Sequence, residues 1–199
     1  MPDALANVVT NTNSDSCVTV ATDRLCKPWR ASNQCLSFLG EWESGRMNGM
    51  TRIFYSNHTH IDAQVMDGMI LQVYLDDQGN PTVGCGHLVL PNDNLHVGQI
   101  ISLERARDLL RHDLQQVQSR LNSLVMVPLF QYEYDAMVSV VFNAGAGGAV
   151  RELADEVNHG HYEMMPAFIC RFHARNPRLR QRRESEARLF KAGIYDAQH

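Results

Sequence analysis

The sequence predicts an α+β fold: a small β-hairpin or sheet lobe and a helical lobe, joined by one long helix, with a cleft between them. Three observations carry that expectation. Residues 73–83 run from β-prone residues through a cluster of turn formers and back to β-branched ones. Residues 102–124 hold one apolar stripe at helical spacing: Leu103, Ala106, Leu110, Val117, Leu121 and Leu124. Beyond them come helical runs punctuated by Gly145, Gly160, Pro177 and Gly193. Strands grouped apart from helices make two lobes, and a ligand fits most readily between lobes.

In chain order, residues 1–30 are rich in Asn, Thr, Ser and Asp and lack periodicity. They read as an extension or linker before a domain at 31–199. Residues 31–45 read as a helix capped by Ser32 or Asn33, with Leu36, Leu39 and Trp42 on one face and Gly45 as the stop. Residues 46–72 show less pattern: a strand at Ile53-Phe54-Tyr55, and a lead-in from Met66 to Leu71. The hairpin follows, with Gly79 free to take φ > 0 in its turn. Gly84 and Gly86 let the backbone pass close to a neighbour, and His87 comes next. After a loop at 88–101, Ser102 caps the long helix to about Leu124. Pro128 opens another helix at its first position, which runs through Val141 and stops at Gly145. Three shorter helices follow at 149–160, 162–175 and 179–192.

The chemistry gathers at few positions. Glu43 lies near a helix end beside Trp42. A carboxyl packed against an aromatic wall is desolvated, which favours the protonated form that a general acid needs. Asp76 and Thr82 face each other on the hairpin and gather polar groups on a glycine-bounded turn. Glu41 and Asp77 are rivals to Glu43 and Asp76. Cys85-x-His87 and His58-x-His60 with Asp62 suggest metal ligands, yet the spacing matches no standard site, so no metal or cofactor is expected. No GxSxG elbow occurs, and Gly145-Ala146-Gly147-Gly148 lacks the Lys and Ser/Thr of a phosphate loop.

Bulk properties exclude several classes. No apolar run approaches the ~20 residues of a membrane span. The first residues lack a basic start and an apolar core, so no Sec signal peptide is read there. Five cysteines leave at least one unpaired within the chain, and mostly free thiols are expected in a cytosol-made protein. The net charge is −4, with 5 basic and 10 acidic side chains in residues 1–100 and 13 and 12 in residues 101–199. Seven arginines fall between Arg171 and Arg188. They make either a solvated helix face or a basic wall toward an anionic polymer. Nucleic acid is not expected, since no binding motif accompanies the negative overall charge.

The hairpin, Tyr74-x-Asp76-x-x-Gly79-x-x-Thr82-Val83-Gly84-x-Gly86-His87, resembles that of the phage-type lysozymes, glycoside hydrolase family 24. Further motifs follow in the family's order. Phe38-Leu39-x-x-Trp42-Glu43-x-Gly45 is similar to its opening helix, although Ser44 intervenes before the glycine. Ile101-Ser102-x-x-x-Ala106-x-x-Leu109-Leu110 resembles its interlobe helix. Val127-Pro128-Leu129-x-Gln131-x-x-x-Asp135-Ala136 through Asn143-x-Gly145, and Leu179-x-x-Arg182-Arg183-x-x-Glu186-x-x-Leu189-Phe190, resemble its helical lobe. Residues 46–72 depart from the pattern as an insertion between acid and hairpin.

The resemblance implies a lysozyme-like fold and a muramidase cutting the β-1,4 bond between N-acetylmuramic acid and N-acetylglucosamine in peptidoglycan. Glu43 would be the acid, and Asp76 the group positioning or activating water, helped by Thr82. His87 and Tyr74 would support the site. Asn143 would line the cleft, unless it is only a helix C-cap. Arg182 or Arg183 would approach Glu43. An inverting attack would set the two carboxyl groups about 6.5–9.5 Å apart. The expected partner is the glycan strand, met by a monomer that acts in the periplasm or cell wall after non-Sec export or injection. A phage endolysin would leave through a holin, and an antibacterial effector would need an immunity protein. A catalytically silent wall-binding domain and a metal-dependent hydrolase are the alternatives.

Overall fold

A computed structural model of the chain describes residues 27, 29–55, 58–145 and 147–197. The extension expected at residues 1–26, with Cys17 and Cys26, lies outside the described residues. Lys27, Trp29 and Arg30, assigned from sequence to that extension, join the folded body. Trp29 is 3% exposed, its ring centroid 5.6 Å from that of Tyr134. Its backbone exchanges hydrogen bonds with the Asn122 side chain at 2.7 and 3.0 Å.

Helix α1 (Asn33–Ser44) begins and ends where local chemistry dictates. The Ser32 side chain accepts the Cys35 N–H, and Gly45 closes the helix in the left-handed region (φ 76°). Ser32 is fixed in turn by Asp135, whose carboxylate accepts its hydroxyl at 2.5 Å and its N–H at 3.1 Å.

Five antiparallel strands then form one meander in sequence order: β1 (Gly49–Phe54), β2 (His60–Met66), β3 (Met69–Leu75), β4 (Pro81–Gly84) and β5 (His87–Leu88). The residue 46–72 stretch is thus a second hairpin that widens the sheet. Its strand covers Gly49–Phe54 rather than starting at Ile53. Strand β2 alternates exposed His60, Asp62, Gln64 and Met66 with more buried Ile61, Ala63 and Val65. Asp67 (φ 52°) and Gly68 (φ 78°) make the two-residue turn into β3. Gly68 also sits against α1. A Cβ there would meet the Glu41 nitrogen at 2.5 Å, and one at Gly40 would meet the Gly68 carbonyl at 2.8 Å. The Gly68 N–H bonds the Met47 carbonyl (2.8 Å), and Arg107 pairs with Asp67 (2.5 Å), so the base of the inserted hairpin is held by α1 and α2.

The long helix expected at 102–124 is two: α2 (Leu103–Asp113), capped by Ser102, and α3 (Gln115–Leu124). They meet at buried Leu114, just after Asp113, whose carboxylate is engaged by His87. Helix α4 (Gln131–Ala144) starts three residues later than Pro128 suggests. The Glu133 side chain accepts the Phe130 N–H at 2.8 Å and so fixes the start at Gln131. Helices α5 (Gly148–Asn158), α6 (Met165–Arg171) and α7 (Pro177–Ala192) complete the lobe. One apolar core runs from α1 through α7, and a smaller one joins Ala63, Val65 and Ile70 with Tyr74, Ile53 and Ile61. The fold is α+β, as the sequence predicts. Among the described residues no helix is long and apolar enough to cross a membrane.

Candidate active site

Glu43 projects from the last turn of α1 into a cavity of about 310 Å³ that Trp42, Asn143, Leu179 and Arg182 also line. Its side chain is 37% exposed, so a ligand can reach it. Arg182 Nη1 donates to Glu43 Oε1 at 2.8 Å, tying α7 to α1 across the cavity. The Arg182 guanidinium also lies 5.8 Å from the Trp42 ring centroid. Of the two arginines expected to approach Glu43, Arg182 does so. Arg183 is turned inward, where it bonds the Phe172 carbonyl, the Asn143 side-chain oxygen (2.8 Å) and Glu186. Fully buried Glu186 accepts from both arginines and from Ser139 (2.7 Å). A buried carboxylate with three donors is stable where an unpaired one would not be.

Asp76 does not lie on a strand. It is the first residue past β3 and closes the hairpin turn. Its Oδ1 accepts the N–H groups of Gln78 (2.9 Å) and Asn80 (2.8 Å), and its Oδ2 accepts Asn80 Nδ2 (3.2 Å). These bonds, that of the Asn80 backbone foremost, hold its carboxyl below the usual carboxylate range. Asp77 is exposed on the same turn. Thr82 is buried opposite Tyr74, and its hydroxyl donates to the Asn80 carbonyl (3.2 Å). Turn, carboxylate and hydroxyl are thus one hydrogen-bonded unit hung on Asn80.

Tyr74 is paired with Thr82 across the hairpin. Burial chiefly, then the charges of Cys85, Asp76 and Glu43, push the Tyr74 hydroxyl up to about 12, so it is neutral and feels the charge of both carboxylates. Cys85 lies beneath the same site, its thiol raised by burial and then by Glu43. His87 is farther in. It is 5% exposed, with Nδ1 at 2.9 Å from Asp113 and Nε2 at 3.1 Å from Asp93. It ties β5 to α2 and to the 3-10 turn Pro91–Asp93. Asn143 lies inside the last turn of α4, not at its cap, and lines the cavity.

Of the residues weighed as metal ligands, Asp62 pairs with Arg52 (2.8 Å), His87 is held by two aspartates, and Cys85 is a free, buried thiol. Among the described residues, no cluster of three or more His, Cys, Asp or Glu could hold a metal ion. The sequence reading missed Asn80, which organises Asp76, and Asn176 and Arg178, which line the Glu43 cavity. An Asx-type turn in Asp76-Asp77-Gln78-Gly79-Asn80 was the available signal for the first. The Asn176-Pro177 helix start was the signal for the others.

The phage lysozyme family model matches residues 64–186, more than half of the chain. The chain belongs to the phage lysozyme family. It is 33% identical over 135 residues to the endolysin of Acyrthosiphon pisum secondary endosymbiont phage 1, covering 63% of this chain and 90% of that one. It is 41% identical over 80 residues to the endolysin of Salmonella phage P22, but that match spans 40% of this chain and 55% of the endolysin. A P22 lysozyme mutant superposes with a TM-score of 0.62 at 27% identity, covering 82% of this chain and 99% of the other. An endolysin from Escherichia coli O157:H7 phage FAHEc1 shares the fold, with a TM-score of 0.63 at 21% identity over 86% and 99%. The family match takes in Tyr74, Asp76, Thr82, His87, Asn143 and both arginines, and begins after Glu43. Glu43 therefore rests on its geometry: Arg182 and Asn143, both within the match, converge with it on one cavity.

Proposed function

We propose that the chain is a muramidase that hydrolyses the β-1,4 bond between N-acetylmuramic acid and N-acetylglucosamine of peptidoglycan. The observation that carries this reading is Glu43 at an open cavity, paired there with Arg182, in a chain whose phage lysozyme match takes in both Arg182 and the glycine-rich hairpin of Asp76. Glycoside hydrolysis needs a proton donor for the leaving oxygen and a second carboxylate at the sugar. Glu43 donates the proton, held toward the cavity by Arg182. Asp76 stays ionised and is a weak base, because its lone pairs are already engaged. It acts by charge, orienting a water and stabilising the positive sugar ring, with Thr82 fixing the turn and Tyr74 a neutral group in the field of both carboxylates. Attack by that water from the face opposite Glu43 inverts the anomeric centre.

Synthesis in the cytoplasm and delivery to the wall through a holin or an injection apparatus belong to the same reading. The bound state of Asp76 also suits a second one, a wall-binding domain that does not cut. Digestion of sacculi by wild type and Glu43→Gln, with products weighed by mass spectrometry, separates them. Reducing-end muropeptides from wild type and fewer than about one-hundredth as many from the variant are expected, since a general acid contributes roughly 10²–10⁴-fold. Anhydro products would mean a lytic transglycosylase, and binding without products a silent domain.

A further inference from the structure

The Glu43 cavity continues into a second hollow of about 220 Å³, which shares Asn143 and Leu179 with it. Two arginines face these hollows, Arg178 the first and Arg175 the second. Both are exposed, and among the described residues neither guanidinium has a carboxylate within ion-pairing distance. That sets them apart from Arg182 and Arg183, which Glu43 and Glu186 neutralise. His173, which lines the second hollow, pairs with Glu152 at 3.6 Å.

A second observation points to a ligand here. Arg182 is 5% exposed and lines the first cavity, yet among the described residues its buried Nη2 has no hydrogen-bond acceptor. A buried guanidinium N–H without an acceptor is costly, and an acceptor arriving in the cavity would relieve it. One side of the cleft thus offers two free forked cations and one buried donor, beside the proposed acid.

We infer that Arg175 and Arg178 are specificity-determining residues that bind a carboxylate carried by the glycan strand next to the bond being cut. This rests on the muramidase reading. The sugar rings of that polymer are neutral. Its carboxylates belong to the stem peptides or, where these have been removed, to the lactyl ethers of the muramic acids. A guanidinium fork matches a carboxylate and has nothing comparable to grip on a neutral N-acetylglucosamine polymer. The clamp therefore selects carboxylate-bearing strands.

The test measures binding and cleavage by the full chain and by Arg175→Gln/Arg178→Gln, neither site being part of the proposed catalytic machinery. Three substrates are compared: teichoic-acid-free sacculi, amidase-stripped glycan that keeps the lactyl carboxylate, and chitin oligosaccharide. The double variant is expected to raise Kd and KM for sacculi about tenfold with kcat within twofold, and to leave chitin binding unchanged. Arg178→Lys is expected to restore part of the loss. If stripped glycan behaves like sacculi, the lactyl group is the anion. If wild type already binds it about tenfold more weakly, and the variant adds nothing, the stem peptide is. Equal binding of sacculi by wild type and variant, or an equal loss on chitin, overturns the clamp. Binding is also measured with Glu43→Gln. If wild type cuts nothing but binding still depends on the two arginines, the enzyme reading fails and the clamp stands.

Discussion

At the scale of single residues, the candidate site depends on groups that never touch a substrate. Asn80 is the clearest case. It supplies two of the hydrogen bonds that hold Asp76 ionised, its backbone bond the foremost, and its carbonyl takes the Thr82 hydroxyl. A carboxylate with a depressed pKa stays charged as pH falls, until pH passes that depressed value. Activity that needs Asp76 charged should therefore persist below the ordinary carboxylate range. Asn80→Ala removes the Nδ2 donor and should move the acid limb of the pH–activity profile upward. A limb that stays in place would mean that Asp76 does not set it. Arg182 and Arg183 make a second lesson at this scale. They are neighbours in sequence, yet one turns to Glu43 and the other to the buried Glu186, because adjacent helix positions point about 100° apart.

At the scale of elements, what was legible was local. Ser32 and Gly45 bound α1, and Ser102 starts α2, because caps act within one turn of chain. Gly79, at φ 83°, makes the turn its position suggests. The Asp67-Gly68 turn was equally local and carried its own signal, a two-residue hairpin dipeptide between Met66 and Met69. With it, the alternation of β2 would have revealed the inserted hairpin. The break at Leu114 was not legible in its own segment, because His87 comes to Asp113 from the sheet. The start of α4 carried a local signal that Pro128 masked: Glu133 reaches back three residues to the Phe130 N–H. Gly68 tests how an element is held. Gly68→Ala adds a Cβ 2.5 Å from the Glu41 nitrogen at a φ of 78°, where both neighbours are backbone. The expected loss is about 3 kcal/mol, read from urea unfolding. Activity should fall with it, because α1 would be pushed away within one turn of Glu43. An unchanged midpoint would show that the hairpin base can shift freely.

At the scale of the whole molecule, the site is assembled from three distant parts of the chain. Glu43 comes from α1, Asp76 from the sheet and Arg182 from α7. The outer half of the β1–β2 hairpin packs on the small core of Ala63, Val65 and Ile70, separate from the main core. Replacing residues 48–67 by one glycine should leave a protein that still melts in a single cooperative step by calorimetry, at a lower temperature. Loss of cooperativity would show instead that this hairpin is part of the main body.

The Met47–Gly68 hydrogen bond gives that hairpin a closed neck. Seen as a polymer, the chain leaves and returns at one point, so the excursion adds its length to the loop without separating its ends. Closure entropy grows only with the logarithm of loop length, about 0.6 kcal/mol for each doubling. The chain could therefore accept a long segment between Glu43 and Asp76 while the two kept their neighbours. By the same count, the segment's sequence is free to change for other purposes at little cost to the distance across the cleft.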